Sequence, residues 1–203
     1  HIHDVLFAQS AKTRSRSRKR YKVVRSTRFR PMPFTRSRIC ATPFTAALVT
    51  EKFKEKKIDI IPYLKIVKLN GTVDLNPFKI EFITLTHSII EPNGLKIDTP
   101  AGTIFHTGDW KVDPNPLVGK NINKEKLKEI GDSGVLAMIC DSTNVFSIGR
   151  AGSEADVRKN MLNVMSRQKK KILVTSFASN VARMETVFFC AEKIGRHISL
   201  VGR

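Results

Sequence analysis

The sequence predicts an α/β fold, because two kinds of apolar pattern follow one another along its 203 residues. Short strand-like runs broken by Pro, Gly and Asn fill residues 58 to 107, as in a mostly antiparallel sheet. From residue 124 onward, strand-like runs alternate with helical ones, which indicates parallel strands joined by helical crossovers. Hydrophobic residues make up 41% of the chain, which is enough for a buried core.

In the first half, turn-forming residues separate the predicted strands. Asn70-Gly71 is typical of a hairpin turn, and Pro100-Ala-Gly102 predicts a second turn. The predicted strands run over residues 58–69, 78–86, 94–99 and 103–107.

In the second half, the helices carry start and stop signals. Ser153 followed by Asp156 is typical of a capped helix start, and Gly195 can end a helix. We therefore predict helices over residues 124–130, 153–168 and 179–194, a buried strand over 135–140, and further strands over 171–177 and 197–201.

The net charge of +18 is concentrated at the N-terminal end. The first 39 residues contain twelve Lys and Arg residues and a single acidic residue, Asp4. Such a stretch can neutralise phosphates without reading sequence, and it can equally be disordered. We expect residues 1–38 to be a disordered or aberrant basic segment. The chain starts at His1 rather than Met and stops directly after a strand-like run, so we also expect a fragment.

Three scattered cysteines without C-x-x-C spacing disfavour a disulfide framework and fit a reducing cytoplasm. No apolar run approaches the roughly 20 residues that cross a bilayer, so no membrane role is expected.

Two histidines and one aspartate stand where strand-like runs end. His87 and His106 each adjoin small or turn-forming residues, a place where a rigid scaffold presents functional side chains. Asp109 follows Gly108 and an apolar strand that would normally avoid a charge. Zn²⁺ accepts imidazole and carboxylate ligands, but on spacing alone a structural turn stays open as the alternative. The remaining histidines indicate a ragged end (His1 and His3) and a core or edge strand (His197).

Four sequence blocks together resemble the ribonuclease J family, a branch of the β-CASP group within the metallo-β-lactamase superfamily. The resemblance covers residues 39–203. The blocks are Thr86-His-Ser-Ile-Ile-Glu-Pro-Asn-Gly94, Phe105-His-Thr-Gly-Asp-Trp-Lys111, Cys140-Asp-Ser-Thr-Asn144 and Thr175-Ser-Phe-Ala-Ser-Asn-Val-Ala-Arg183.

The resemblance implies part of an αββα metallo-β-lactamase domain over residues 39–145, followed by part of a parallel-sheet, Rossmann-like β-CASP domain over 146–203. It implies hydrolysis of RNA through two zinc ions, which would supply a hydroxide at neutral pH. It also implies a homo-oligomer in the intact cytoplasmic enzyme.

By the same resemblance, His87 and Asp109 match metal ligands and catalytic residues, and Asp141 matches an acid that orients a downstream histidine near the metal. We interpret His106 as a hydrogen-bonding residue at the strand end. Separately, the helix start at Ser179 and Asn180, with Arg183 one turn in, fits either an RNA phosphate site or ordinary helix capping.

The family's motif H-x-H-x-D-H is absent from the residues before Ile39, where it belongs. We therefore predict that this polypeptide is inactive or nearly so. Two other functions stay open, a metallo-hydrolase of small molecules and a non-enzymatic RNA-binding fragment that uses the basic segment.

Overall fold

The computed structural model describes residues 6–9, 37–149 and 151–201. The segment 1–38, for which disorder or an aberrant origin is expected, lies outside these residues except for a short strand at its start and its last two residues. His1 and His3 lie outside them as well.

Two β-sheets form the centre of the fold. In the first sheet, β2 (Ser37–Ala41) lies antiparallel to β1 (Leu6–Gln9) and parallel to β3 (Leu64–Ile66). The second sheet keeps chain order and is antiparallel except for its last pair. Its strands are β4 (Thr72–Leu75), β5 (Phe78–Thr84), β6 (Asn93–Thr99), β7 (Gly102–His106) and β8 (Ala137–Ile139). The mostly antiparallel sheet predicted before residue 107 forms, but the strand predicted over 58–69 is wrong, because only Leu64–Ile66 is a strand there and it belongs to the first sheet. Asn70-Gly71 therefore joins β3 of one sheet to β4 of the other and is not a hairpin turn.

Four α-helices accompany the sheets in the described residues, and a short 3-10 turn, Ile61–Tyr63, precedes β3. The helices are α1 (Pro43–Lys54), α2 (Lys124–Asp132), α3 (Glu154–Ser166) and α4 (Val181–Lys193). Helix α1 was not predicted from the sequence, whereas the other three helices were.

The core divides into layers because successive side chains of a strand point to opposite faces. In β2, Ile39 packs with Val49 and Phe53 of α1. Its neighbour Cys40 packs with Val73 and Phe82 of the second sheet. On the far side of that sheet, residues of β5 and β7 pack against Ile130 of α2. The order is therefore helix, sheet, sheet, helix, and the predicted α/β class is confirmed.

Helices α3 and α4 pack against each other beyond these layers. Arg158 of α3 forms an ion pair with Glu185 of α4, and its guanidinium carbon lies 4.6 Å from the centroid of the Phe189 ring. The capping box of Ser153 and Asp156 begins α3 as predicted, and Gly195, at φ +65°, ends α4 as predicted.

The strands predicted over residues 171–177 and 197–201 are wrong, since neither segment has a strand conformation. A strand needs a neighbour for its backbone hydrogen bonds, and no described strand borders these segments. Most of their apolar side chains are exposed, as shown by Leu173 at 95% and Val201 at 99%. The Rossmann-like parallel sheet expected after residue 146 is thus not formed in the described residues. His197 is exposed rather than in a strand.

The strand predicted over residues 135–140 forms as β8, but it is not buried. Its residues are exposed, with Met138 at 56%, because β8 lies at the edge of the second sheet beside β7.

Candidate functional site

Buried Thr86 fastens the loop after β5 to the loop after β7. The Lys111 N–H donates to the Thr86 carbonyl oxygen at 2.9 Å, and the Thr86 hydroxyl donates to the Lys111 carbonyl oxygen at 2.5 Å. The same hydroxyl accepts from the Asp113 N–H at 3.2 Å. These bonds hold His87 and Asp109 on two neighbouring backbone segments.

The turn that carries Asp109 depends on a glycine. Gly108 has φ +62°, a left-handed conformation that other residues rarely adopt. Its N–H donates to His106 Nδ1 at 2.9 Å. His106 therefore forms a hydrogen bond at the strand end, and its role beside the metal ligands stays a prediction. Asp109 itself is half-buried.

Asp141 reaches the same edge of the sheet because β7 and β8 are parallel and their carboxyl ends coincide. The Thr107 N–H donates to the Ile139 carbonyl oxygen at 3.0 Å, and the Thr107 hydroxyl accepts from the Asp141 N–H at 3.1 Å. One carboxylate oxygen of Asp141 accepts from the Thr143 N–H at 3.0 Å. This carboxylate is thus engaged in shaping its own loop.

The charges around His87 act on its imidazole. Burial lowers the pKa of His87 below its usual value, and the carboxylates of Asp109, Asp141 and Glu154 oppose this effect while Lys111 adds to it. His87 Nδ1 also lies 3.1 Å from the Ser88 hydroxyl. The neutral imidazole is the form that binds a metal ion.

The described residues do not make a complete zinc site. Among them, no group of three or more His, Cys, Asp and Glu side chains is placed to hold a metal ion. Protein zinc sites use three or four such ligands. His87 and Asp109 can therefore supply only part of a ligand set, and the described residues on their own do not fit the ion.

A buried charge network behind the site was not predicted. Lys111 Nζ lies 3.0 Å from Glu154 Oε1 and 3.5 Å from Asp113 Oδ2. Glu154 Oε2 lies 3.4 Å from the guanidinium of Arg183. Because Lys111 follows Asp109 by two residues, this network fixes the site to the first turns of α3 and α4.

Asp113 is the most buried member of the network, with 2% of its surface exposed. Burial alone would raise the pKa of its carboxyl. Hydrogen bonds from Glu154, Ser153 and Asn115, with the charge of Lys111, outweigh burial and hold the pKa below its usual value. The backbone N–H groups of Glu154 and Asn115 each donate to it at 2.9 Å. Asp113 thus anchors α3 as an ionised carboxylate.

The start of α4 is occupied by protein contacts. Asn180 caps the helix by accepting from the Arg183 N–H at 2.9 Å. The Ala182 N–H donates to the Ser88 carbonyl oxygen at 3.1 Å, and the Val181 N–H donates to the Ser179 carbonyl oxygen at 3.1 Å. Of the two interpretations of this helix start, ordinary helix capping is therefore observed. Binding of an RNA phosphate by Ser179, Asn180 and Arg183 stays a prediction.

No family model matches the chain. Ribonuclease J of Sinorhizobium meliloti is 38% identical over 165 residues, which are 81% of this chain and 29% of that protein. Ribonuclease J of Corynebacterium glutamicum is 39% identical over 165 residues, which are 81% of this chain and 23% of that protein. Ribonuclease J of the archaeon Methanocaldococcus jannaschii is 35% identical over 170 residues, 81% of this chain and 38% of that protein.

The chain thus spans between a fifth and two-fifths of the length of these curated relatives. A solved structure of similar fold is a protein of unknown function from Enterococcus faecalis. It has a TM-score of 0.51 at 14% identity, and the match covers 75% of this chain and 38% of that one. At this identity the likeness concerns the fold alone.

Proposed function

About four-fifths of this chain is related in sequence to a segment of ribonuclease J, and from that premise we propose that it is part of a zinc-dependent ribonuclease that hydrolyses RNA phosphodiesters. The observation that supports the proposal is that the loop with His87 and the loop with Asp109 are joined at the end of the second sheet. Hydrogen bonds of Thr86 to the backbone of Lys111 and Asp113 hold them there.

In this proposal the segment contributes two zinc ligands, His87 and Asp109, and the other ligands come from outside the described residues. Asp141 orients a downstream histidine near the metal, and the bond of its N–H to the Thr107 hydroxyl holds it beside the Asp109 loop. The helix, sheet, sheet, helix order supports an αββα metallo-β-lactamase domain over residues 39–145. Helices α3 and α4, which pack against each other, are assigned to a β-CASP domain.

The proposed setting is the cytoplasm, and the proposed assembly of the intact enzyme is a homo-oligomer. The thiols of Cys40, Cys140 and Cys190 are all free, and those of Cys40 and Cys190 are buried, which fits a reducing compartment. Among the described helices, none has the length and apolar character needed to span a bilayer.

This polypeptide by itself is proposed to be inactive, because H-x-H-x-D-H is missing from its sequence and the described residues supply too few metal ligands. The test is incubation of the purified chain with labelled RNA, with added zinc and then with a chelator. We expect no zinc-dependent cleavage above that of Asp109→Asn. Chelator-sensitive cleavage that Asp109→Asn abolishes would overturn the inactivity and support the site. Cleavage of a nitrocefin-like lactam without RNA binding would favour the small-molecule hydrolase.

A further inference from the structure

A cluster of exposed cations lies where α3 ends. Four of its members are Arg167, Lys169, Lys170 and Lys171, all of them exposed. Within the part of the chain that the structure describes, none of the four forms an ion pair with an acid. Four positive charges within five residues, without a countercharge, produce a local positive potential that attracts polyanions.

Arg196 adds a fifth charge and fixes the shape of this cluster. Gly195, in the left-handed conformation, turns the chain after α4 back toward α3. The Arg196 guanidinium then donates to the carbonyl oxygens of Lys170, at 2.7 Å, and of Gln168. The loop between residues 167 and 171 is therefore held to the end of α4 and does not depend on a ligand for its position. We name these five residues the basic cluster.

Helix α4 connects the basic cluster to the candidate site. Its first turn bonds to the Ser88 carbonyl oxygen, next to His87, and its last turn leads to Arg196. Thirteen residues of α-helix span about 20 Å. About six stacked nucleotides, at roughly 3.4 Å each, cover that distance.

An exposed aromatic side chain lies at the start of α4, where the Phe177 carbonyl oxygen accepts from the Asn180 N–H at 3.0 Å. The segment from 172 to 178 returns from the basic cluster toward the start of α4, and Phe177 on it is 78% exposed. Aromatic side chains next to a positively charged track are the usual means of holding single-stranded nucleic acid without sequence preference. A membrane surface would not need this alignment with the site.

We propose that the basic cluster binds backbone phosphates of the RNA substrate, about 20 Å from His87 along α4. This inference rests on the proposed ribonuclease function, since that function makes RNA the polyanion in question. The cluster acts on affinity through charge, and Phe177, at the start of α4, stacks on a base.

The test is the salt dependence of RNA binding by the full chain and by the triple variant Lys169→Gln, Lys170→Gln, Lys171→Gln. The matched control removes the same charge from exposed lysines elsewhere, as Lys52→Gln, Lys56→Gln, Lys65→Gln. The probe is a fluorescent oligouridine of about 12 nucleotides, long enough to reach from the cluster to the site at the spacing above. All six positions are exposed, so circular dichroism should show both variants folded.

We expect the cluster variant to lower the slope of log K against log salt by about 2, since each lost phosphate contact on a single strand accounts for about 0.7. With curves that converge near 1 M salt, affinity at about 0.1 M should fall about 100-fold. The control should keep the wild-type slope. In lysine acylation read by mass spectrometry, the RNA should protect Lys169, Lys170 and Lys171.

Equal slopes for the two variants, or no protection of these lysines, would overturn the inference. So would loss of binding to phosphatidylserine vesicles with RNA binding unchanged, which would assign the cluster to a membrane surface. Failure of the proposed function looks different. In that case the cluster variant weakens RNA binding as expected, while His87 and Asp109 prove dispensable for RNA cleavage in the intact enzyme.

Discussion

Removing the Thr86 hydroxyl should destabilise the protein through the two loops that carry His87 and Asp109. Thr86 is 2% exposed, and its hydroxyl bonds to the Lys111 carbonyl oxygen at 2.5 Å and the Asp113 N–H at 3.2 Å. In Thr86→Val the Asp113 N–H, which is buried, and the Lys111 carbonyl oxygen, which is partly buried, both lose that partner. At about 1–3 kcal/mol for each of the two orphaned groups, the free energy of unfolding should fall by about 2–6 kcal/mol.

The assay is urea unfolding followed by the fluorescence of Trp110, which is the only tryptophan and lies in the affected loop. Thr84→Val is the matched control, two residues earlier in β5 and 4% exposed. The Thr84 hydroxyl has no hydrogen-bond partner among the described residues, so its removal should leave stability within about 0.5 kcal/mol or raise it. If Thr86→Val costs no more than Thr84→Val, the two loops are not held together as described.

The other predictions concern the network behind the site. Asp113→Asn should be most destabilising at neutral pH. The folded-state pKa of Asp113 lies below its usual value of about 4, so its stabilising effect is complete above that value and is lost as pH falls through the folded-state pKa. A difference in unfolding free energy that grows toward acid pH would contradict this. Glu154→Gln leaves Lys111 and Arg183 without their shared carboxylate, so the free energy of unfolding in urea should fall by about 2 kcal/mol. The control is Glu129→Gln on α2, an exposed position where the change should be near zero. Ser153→Ala removes the cap of α3 and should lower the thermal midpoint by an amount equivalent to about 1 kcal/mol; an unchanged midpoint would refute the capping role.

The parts of the fold that the sequence predicted are those that local patterns determine. Alternating apolar residues and turn signals predicted β5, β6 and β7, and the Ser153 and Asp156 pair predicted the start of α3. Gly108 marked the turn before Asp109 because only a residue without a side chain adopts φ +62° easily.

The predictions that failed depended on distant neighbours. The run from 171 to 177 is as apolar and β-branched as a strand, but a strand also needs an adjacent strand, and the described residues provide none. The charge network joins residues up to 72 positions apart in the sequence, so no local motif predicts it as a whole. Its members are Lys111, Asp113, Glu154 and Arg183. The available signal was an acid in the turn-forming sequence Asp113-Pro-Asn-Pro116, together with Glu154 directly after the capping residue Ser153.

An intact relative allows a direct test of whether His87 and Asp109 serve as zinc ligands of a ribonuclease. Residues 39–201 of this chain would replace the matching segment of the Sinorhizobium meliloti ribonuclease J, to which the chain is 38% identical. We predict that the chimera cleaves RNA with zinc. His87→Ala and Asp109→Asn should each reduce cleavage by at least about 100-fold and reduce bound zinc, since losing one ligand impairs the site. A chimera whose cleavage and zinc content are unchanged by both substitutions would contradict this prediction.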